Sequence, residues 1–321
     1  MRAIIHTQYG PPSVAQLKDI AKPLPAENEL LIKVVASTVN RTDCGFRSAE
    51  YFISRFWSGM LRPKYQTLGC EFSGIVEAIG KGVTLFSPGD KIFGYNDVKF
   101  GGHADYLVIN EDACIAKMPT NFNFIESAPL TEGVHYALCD LKAAKLKKGQ
   151  TVLINGATGA IGSAAVQLAK YYGANVTAVC ATEQVELVKS LGADIVLDYT
   201  KLNFTKQKYK YDLVFDAVGK STFWKCISLL KRRGIYISTE LGPWGQNPFL
   251  ALLTPIFWRK KLLFPIPTIN KADVEFLKEL AEKGHFKPVI DRTYPLEKIV
   301  EAYVYVESGQ KIGNVVIDLS N

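Results

Sequence analysis

The chain has 321 residues, longer than one compact domain usually runs, so two domains are the starting expectation. Hydrophobic content of 48% with 21% charged residues describes an ordinary soluble globular protein, with no internal repeat or low-complexity tract. The net charge of +7 is spread through short clusters, KAAKLKK, KQKYK and KRR, which read as solvated faces. No nucleic-acid motif accompanies them, so a nucleic acid is not an expected partner, although a mildly basic protein helps attract a polyphosphate cofactor.

The N-terminus MRAIIHTQYGPP lacks a long apolar core, and no secretory signal is read there. The first third is β-rich: AIIHT, ELLIKVVASTVN, FSGIVEAIG, KIFGYN and ADYLVINED are β-branched runs punctuated by Gly, Pro and Asp. Near Pro119 the rhythm changes, and FIESAPLTEGVHYALCDLKAA carries apolar residues at helical spacing. Strand–helix alternation follows. TVLINGA, NVTAVCA, DIVLDY, YDLVFDAVG and GIYIST read as strands, and IGSAAVQLAKYYG, TEQVELVKSLG and STFWKCISLLKR as helices. Continuous apolar strands between amphipathic helices imply a parallel sheet covered on both faces. The most apolar run, NPFLALLTPIFWRKKLLFPIP, is cut by Pro255, by Arg259, Lys260 and Lys261, and by Pro265. It is therefore read as a buried element or subunit contact rather than a membrane span, and no membrane partner is expected. KADVEFLKELAEKG is an amphipathic helix, and the closing NVVIDLSN is styled like the opening strands, as if the chain returned to its first domain. Six cysteines, with no C-x-x-C pair, match neither a disulfide framework nor a zinc ribbon and fit a reducing cytoplasm.

The strongest local signal is VLINGATGAIGSAAVQLAKYYGA. A strand ends at Asn155, a small-residue turn follows, and a helix starts at about Ala160. Ala157-x-Gly159-x-x-Gly162 fits the dinucleotide fingerprint with alanine first and Gly156 just before it. Small residues let a pyrophosphate approach backbone N–H groups at the helix start, so Gly156, Thr158, Gly159, Ala160 and Ile161 are candidate cofactor contacts. A nucleoside-triphosphatase loop would need Gly-Lys-Ser/Thr, but Gly162 is followed by Ser163 and Ala164. The next strand ends at Cys180 and Ala181, where an NAD site wants an acid for the ribose hydroxyls; Glu183 comes slightly later. NADP is therefore favoured, with Thr182 and Tyr199 as candidate donors to its 2′-phosphate.

Taken in order, GCEFSGIVEAIGKGVTLFSPGD, NGATGAIG, SLGAD and YDLVFDAVG resemble the medium-chain dehydrogenase/reductase superfamily, and most closely its zinc-free quinone oxidoreductase branch. The resemblance covers nearly the whole chain. It implies an α/β protein, with a GroES-like β domain over residues 1–118, completed by 285–321, and a doubly wound Rossmann domain over 119–284. In zinc-dependent members the Gly-His-Glu histidine binds catalytic zinc, but here that position is Cys70. The first zinc cysteine falls on Asn40 and the third ligand position near Glu132, and the structural zinc loop has no counterpart between Asp90 and Glu111. Asp43 or His135 would have to complete an unusual ligand set, and asparagine is a poor zinc ligand, so no metal is expected. Nor is Cys70 read as a nucleophile, because no Cys–His pairing is apparent.

Without a Lewis acid, hydride donation from NADPH to an already electrophilic quinone or α,β-unsaturated carbonyl remains feasible. The resemblance makes NRTDCGFRSAEY one pocket wall, with Asn40 as a polar contact and Tyr51 as a donor or ring platform. It places Ala217, Val218 and Gly219 toward the nicotinamide half, Ser238, Thr239, Glu240 and Leu241 toward the ring, and Thr131 at the phosphates or ring. Asp43 and Arg47 are read as a structural pair, His135 and Tyr136 as core, and Phe56 and Trp57 as core packing or pocket closure. A homodimer or homotetramer is implied, with the segment from Phe249 to Pro267 as its interface. Two alternatives stand beside this reading: an alcohol dehydrogenase with an unusual zinc site, and a non-catalytic cofactor-binding protein of the crystallin or RNA-binding kind.

Overall fold

The computed structural model describes residues 1–50 and 55–320, without the side chain of Trp57. The candidate Tyr51 lies outside the described residues. The chain divides into two compact units, Met1–Glu132 with Ile269–Asn321, and Gly133–Thr268.

The first unit opens with an antiparallel pair, β1 (Arg2–Ile5) and β2 (Gln16–Asp19), then the long β3 (Glu29–Val39). Helix α1 (Arg41–Ser48) and the short α2 (Arg55–Ser58) precede β4 (Glu71–Ile79), β5 (Lys91–Tyr95), β6 (Tyr106–Asn110), β7 (Cys114–Lys117) and α3 (Phe124–Ser127). Helix α4 (Glu132–Ala143) starts on the last residue of that segment and runs into the second unit. There β8 (Thr151–Asn155), α5 (Ala160–Tyr171), β9 (Asn175–Cys180), α6 (Val185–Ser190), β10 (Ile195–Asp198), β11 (Tyr211–Asp216), α7 (Phe223–Cys226), β12 (Leu230–Ser238), α8 (Gln246–Phe257) and β13 (Lys261–Leu263) follow. The chain then re-enters the first unit as α9 (Lys271–Glu282), β14 (Ile290–Pro295), α10 (Ile299–Glu307) and β15 (Asn314–Asp318).

The first unit is built on a seven-stranded sheet in the order β14-β15-β3-β4-β5-β7, with β6 also paired to β3. The closing strand does return, pairing β15 antiparallel to β3 from Val315 opposite Val39 to Asp318 opposite Ala36. Ile32, Phe72, Ile92, Ile115 and Val315 are among the residues of its core. The second unit carries six strands in the order β10-β9-β8-β11-β12-β13, all neighbours parallel, which is a doubly wound Rossmann sheet. Every residue of β8 is buried, as a central parallel strand covered on both faces requires.

The unit boundaries differ from those drawn on the sequence. Residues 119–132 stay with the first unit because Asn123 caps α3 through Glu126 and the Ser73 hydroxyl on β4 donates to Phe124 O at 2.7 Å. Residues 269–284 stay there too. Asn121 donates to Ala281 O at 3.0 Å and Thr120 N to Glu282 Oε1 at 3.2 Å, tying α9 to the same segment. The change of rhythm at Pro119 thus marks a change of secondary structure and not of unit. The helix read over STFWKCISLLKR stops at Leu229 after a 3₁₀ turn, because Leu230 onward joins β12 beside β11. The apolar run after Asn247 is not a buried element: α8 fully buries only Asn247 and Thr254. Among the described residues no helix is long and apolar enough to cross a membrane.

Candidate active site

Two groups of residues qualify, one in each unit. In the first unit the antiparallel pairing of β3 with β4 sets the end of β3 beside the start of β4, with Ser37 opposite Phe72. Asn40 follows β3 and Cys70 precedes β4, so strand register alone brings two residues far apart in sequence together. Asn40 is also the N-cap of α1. Its Oδ1 accepts from Asp43 N at 3.0 Å while Asp43 Oδ2 accepts from Asn40 N at 3.2 Å, a reciprocal capping box. The amide nitrogen is left to face Cys70, donating to Sγ at 3.0 Å, with Thr38 Oγ1 further off at 3.4 Å.

Cys70 in turn donates to Glu132 Oε2 at 3.1 Å, and Glu132 Oε1 accepts from the Thr42 hydroxyl at 2.8 Å. Asn40, Cys70 and Glu132, the positions that the resemblance sets against zinc ligands, are therefore brought together, but as a directed row of hydrogen bonds. Beneath them the fully buried Glu71 accepts four: Thr131 N at 3.0 Å, Thr131 Oγ1 at 2.8 Å and Glu132 N at 2.6 Å on one oxygen, and Thr38 Oγ1 at 2.7 Å on the other. Thr131 is turned inward by this bond and is completely buried.

Burial dominates the electrostatics. It pushes the Asp43 carboxyl up to about 7 against three backbone hydrogen bonds, and it raises the Cys70 thiol well above the ordinary cysteine range. Burial first, then the charges of Glu71 and Asp43, lift the Glu132 carboxyl against its bonds from Cys70 and Thr42. Burial also pulls the Lys311 ammonium down, opposed by the attraction of Glu132 and Glu71. Asp43 does not pair with Arg47. Its Oδ1 accepts from Gly69 N at 2.9 Å, while Arg47 pairs with Glu307, bonds Gly10 O and lies 4.9 Å from the Tyr303 ring. Phe56 is largely exposed and so is not core, whereas His135 is buried, 4.8 Å from the Tyr136 ring.

These donors do not make a zinc set. The Asn40 oxygen that would ligate is taken by the helix cap, and both Asp43 oxygens hold backbone N–H groups. A catalytic zinc wants three protein ligands, and the row leaves a protonated thiol and one carboxylate. Among the described residues no group of three His, Cys, Asp or Glu side chains is arranged to hold a metal.

In the second unit β8 ends in the small-residue turn. Gly156 adopts φ +78°, and a Cβ there would meet Val218 Cγ1 at 2.3 Å. Gly162 lies so close to the turn that a Cβ would fall 2.0 Å from Gly156 O. The N-terminus of α5, capped by Gly159, has no side-chain cap, so its first N–H groups are left for a ligand. Thr158, Ala160 and Ile161 complete the turn and the first helical residues, partly exposed. This cradle fits a pyrophosphate.

The neighbouring strand ends hold the remaining candidates. Ala217 N donates to Asn155 O at 3.0 Å and Thr239 N to Asp216 O at 3.2 Å, locking the ends of β8, β11 and β12 together. Gly219, at φ +63°, comes close to Glu240, whose N–H is 3.3 Å from Ser238 Oγ, and Leu241 is exposed. Thr182 donates to Asp198 Oδ2 at 2.6 Å, and Asp198, opposite Cys180 in the sheet, is held well below the usual carboxylate range by Thr182 and Thr200. Tyr199 is exposed, its N–H bonded to Cys180 O at 3.0 Å. Sequence reading gave no role to Glu71, Thr38, Thr42, Asp198 and Lys311. Only Glu71, the glutamate of the Gly-Cys-Glu motif, and Asp198, at the end of the DIVLDY strand, carried a signal.

Residues 26–120 match the alcohol dehydrogenase GroES-like domain, and residues 191–317 match a zinc-binding dehydrogenase family. The chain is 32% identical to tomato (Solanum lycopersicum) 2-methylene-furan-3-one reductase over 99% of its own length and 79% of the relative's. It is 30% identical, with the same coverage, to the chloroplastic NADPH-dependent alkenal/one oxidoreductase of Arabidopsis thaliana. The structure of the quinone oxidoreductase from Coxiella burnetii superposes with a TM-score of 0.88 at 28% identity, covering 99% of both chains. With its two sheets, its dinucleotide cradle and these relatives, the chain belongs to the medium-chain dehydrogenase/reductase superfamily, in the quinone oxidoreductase branch, and is an oxidoreductase of the pyridine-nucleotide-dependent kind.

Proposed function

We propose that this oxidoreductase uses NADPH to reduce quinones or α,β-unsaturated carbonyls without a catalytic zinc. The observation that carries the reading is the Asn40–Cys70–Glu132 row, in which the groups a zinc would need are bonded to one another. A Lewis acid is what lets a dehydrogenase stabilise an unactivated alkoxide. An acceptor whose developing oxyanion is delocalised needs only positioning and hydrogen-bond donors. A bound pyridine nucleotide supplies the hydride. The turn from Gly156 to Ile161 holds its pyrophosphate on the N–H groups of α5, and residues 217–219 and 238–241 take the nicotinamide half. Asn40, fixed by the α1 cap and by Cys70, offers the polar contact to the nicotinamide or the acceptor carbonyl, with Tyr51 and Thr131 as further contacts.

NADPH is favoured because β9 ends at Cys180 and is followed by Ala181 rather than an acid, beside the exposed Tyr199. Asp198 favours a second reading, NADH, since it sets a carboxylate opposite Cys180. Six free cysteines suit a reducing cytoplasm, and the resemblance implies a homodimer or homotetramer with the segment from Phe249 to Pro267, which contains the edge strand β13, as its interface.

The test follows NADPH and NADH consumption with a simple benzoquinone and with an alkenal, with and without a chelator. Turnover of both electrophiles, faster with NADPH and indifferent to chelator, is expected. Chelator-sensitive alcohol oxidation would establish the altered-zinc alternative instead, and tight cofactor binding with no turnover would establish a binding protein.

A further inference from the structure

Three basic clusters that lie far apart along the chain meet on one rim of the second unit. KAAKLKK ends at Lys148, just ahead of β8, KQKYK ends at Lys210, directly before β11, and KRR follows Leu230 at the start of β12. These strands are parallel neighbours in the order β8-β11-β12, so their starts share one edge of the sheet, and the cofactor turn lies at the other. Every lysine and arginine of KQKYK and KRR is exposed, as are Lys145, Lys147 and Lys148. Lys210 donates to a carbonyl, Ser228 O, and not to an acid.

A bulge shapes the middle of this rim. Tyr211 pairs with Leu230 and Leu213 with Ile235, so two steps of β11 span five of β12, and residues 231–234 loop out. Gly234 makes the return, since a Cβ there would lie 2.9 Å from Tyr211 O. The loop lines a cavity of about 130 Å³, against the roughly 15 Å³ that one water needs. Ala144, Leu146, Leu213 and Ile235 give the cavity apolar walls, and Gln150, Asp212, Lys231 and Arg233 supply its polar groups. All of them belong to the second unit.

Those polar groups are half used. Asp212 Oδ2 accepts from Thr151 N at 2.8 Å, Thr151 Oγ1 at 2.9 Å and Lys231 Nζ at 2.8 Å, but among the described residues nothing donates to Oδ1. Gln150 Oε1 accepts from Lys147 N at 2.8 Å, and its amide N–H groups have no acceptor among the described residues. The Arg233 guanidinium has no partner among them either. A free acceptor, a free amide donor and a free guanidinium therefore surround an apolar slot. Adenine matches that set, with its ring between the aliphatic walls, its exocyclic N–H on Asp212 and a ring nitrogen on Gln150. Guanine would bring two adjacent N–H groups to the one free oxygen. Arg233 then takes a phosphate in a two-bond fork, and the surrounding lysines meet the remaining charge. An anion with no ring would leave the slot empty, and an apolar molecule would leave the cations unmet.

We propose that this rim of the second unit binds an adenine nucleotide carrying a polyphosphate, at a site separate from the cofactor cradle. The proposal is independent of the reaction catalysed.

The test is calorimetric titration of the full chain with ATP at about 0.15 M salt, in saturating NADPH so that the cradle is filled. Binding of one ATP per chain is expected. Inorganic tripolyphosphate and adenosine, each carrying one part of the ligand, should bind at least tenfold more weakly. Ala144→Phe, which fills the slot, and Arg233→Glu should each weaken ATP at least tenfold while leaving the thermal melt and the NADPH affinity unchanged. Lys206→Gln with Lys208→Gln removes as much charge from the rim as Arg233→Glu without touching the slot, and should cost less than threefold. ATP that fails to bind, or that competes with NADPH, overturns the proposal. So does tripolyphosphate that binds as well as ATP, or a loss in Lys206→Gln with Lys208→Gln equal to that in Arg233→Glu, since either leaves only diffuse charge. A single-stranded RNA that binds at least tenfold more tightly than ATP would give the rim to a nucleic acid instead.

Discussion

Gly159 and Gly162 share one turn, yet alanine should act differently at each. At Gly162 the new methyl carbon would lie 2.0 Å from Gly156 O and 2.8 Å from Gly156 C, both main-chain atoms that cannot swing aside. Ordinary contact begins at 3.4 Å, so the turn and the start of α5 must part by more than an ångström. Overpacking of this sort costs about 1–3 kcal/mol, and the N–H groups facing the pyrophosphate move with it. At Gly159 the backbone, φ −69° and ψ 170°, accepts any L residue, and the nearest atom to the methyl is Gly156 O at 3.8 Å. Only the N-cap preference for glycine over alanine is lost, about 0.5 kcal/mol. The methyl would then stand where a pyrophosphate must approach. Urea unfolding should therefore show Gly162→Ala losing about 1–3 kcal/mol and Gly159→Ala under about 1 kcal/mol. Titration with NADPH should show both binding at least tenfold more weakly. A Gly159→Ala protein that binds cofactor like the unsubstituted chain would refute the assignment of the turn. A Gly162→Ala protein of undiminished stability would refute the packing argument.

Glu71→Ala should cost about 3 kcal/mol in urea unfolding, since it strips the acceptor from two backbone N–H groups and two hydroxyls in a buried place; a loss below about 1 kcal/mol would mean water takes over the site. His103, buried with Nε2–H donating to Thr38 O at 2.7 Å, is pushed down to about 4 by burial. The unfolded imidazole takes its proton near 6.5 and the folded one does not, so stability is full above that value and falls as pH drops toward 4. Between pH 7 and pH 5 the unsubstituted chain should lose about 2 kcal/mol more than His103→Gln, and equal losses would show a protonated ring in the fold. Asp198→Asn should raise the preference for NADPH over NADH in kcat/KM several-fold; an unchanged ratio would put that carboxylate out of reach of the ribose. After dialysis against zinc and then buffer, metal analysis should find well under one zinc per chain.

Much of this was legible in the sequence because it is local. The buried run of β8, the turn after it and the amphipathic α5 lie within some twenty residues, and each signal names its neighbour. The returning β15 was legible because its alternation matched that of the opening strands. What escaped depends on register between distant segments. Nothing near Glu71 announces that Thr38, Thr131 and Glu132 will all donate to it, because those partners meet only once β3 and β4 pair. The spacing of Asp43 and Arg47 suggested an i, i+4 ion pair, but unsatisfied N–H groups at the start of α1 and at Gly69 claimed the carboxylate first. Apolar composition likewise suggested burial for α8, but only Leu250 and Ala251 of its apolar residues pack on the core, beside the bond from Leu262 N to Thr254 Oγ1.

Cysteine and asparagine, at the positions the resemblance sets against a zinc enzyme's histidine and cysteine, fit a self-contained row of hydrogen bonds. A metal site holds its lone pairs free and aimed at one common point. In this chain each of these atoms accepts a neighbour's hydrogen: the Asn40 oxygen from Asp43 N, the Cys70 sulfur from the Asn40 amide, the Glu132 oxygens from Cys70 and Thr42. A buried polar cluster with no metal must close on itself or lose stability for every group left unpaired. Asparagine closes it at one end because it can cap a helix with its oxygen and donate with its nitrogen, which a cysteine cannot do. The thiol fits the middle because it accepts from the amide and donates to the carboxylate while staying neutral, where an imidazole in the same space would be larger and would titrate. The two substitutions are therefore one change, and restoring either zinc ligand alone would open the row without assembling a site.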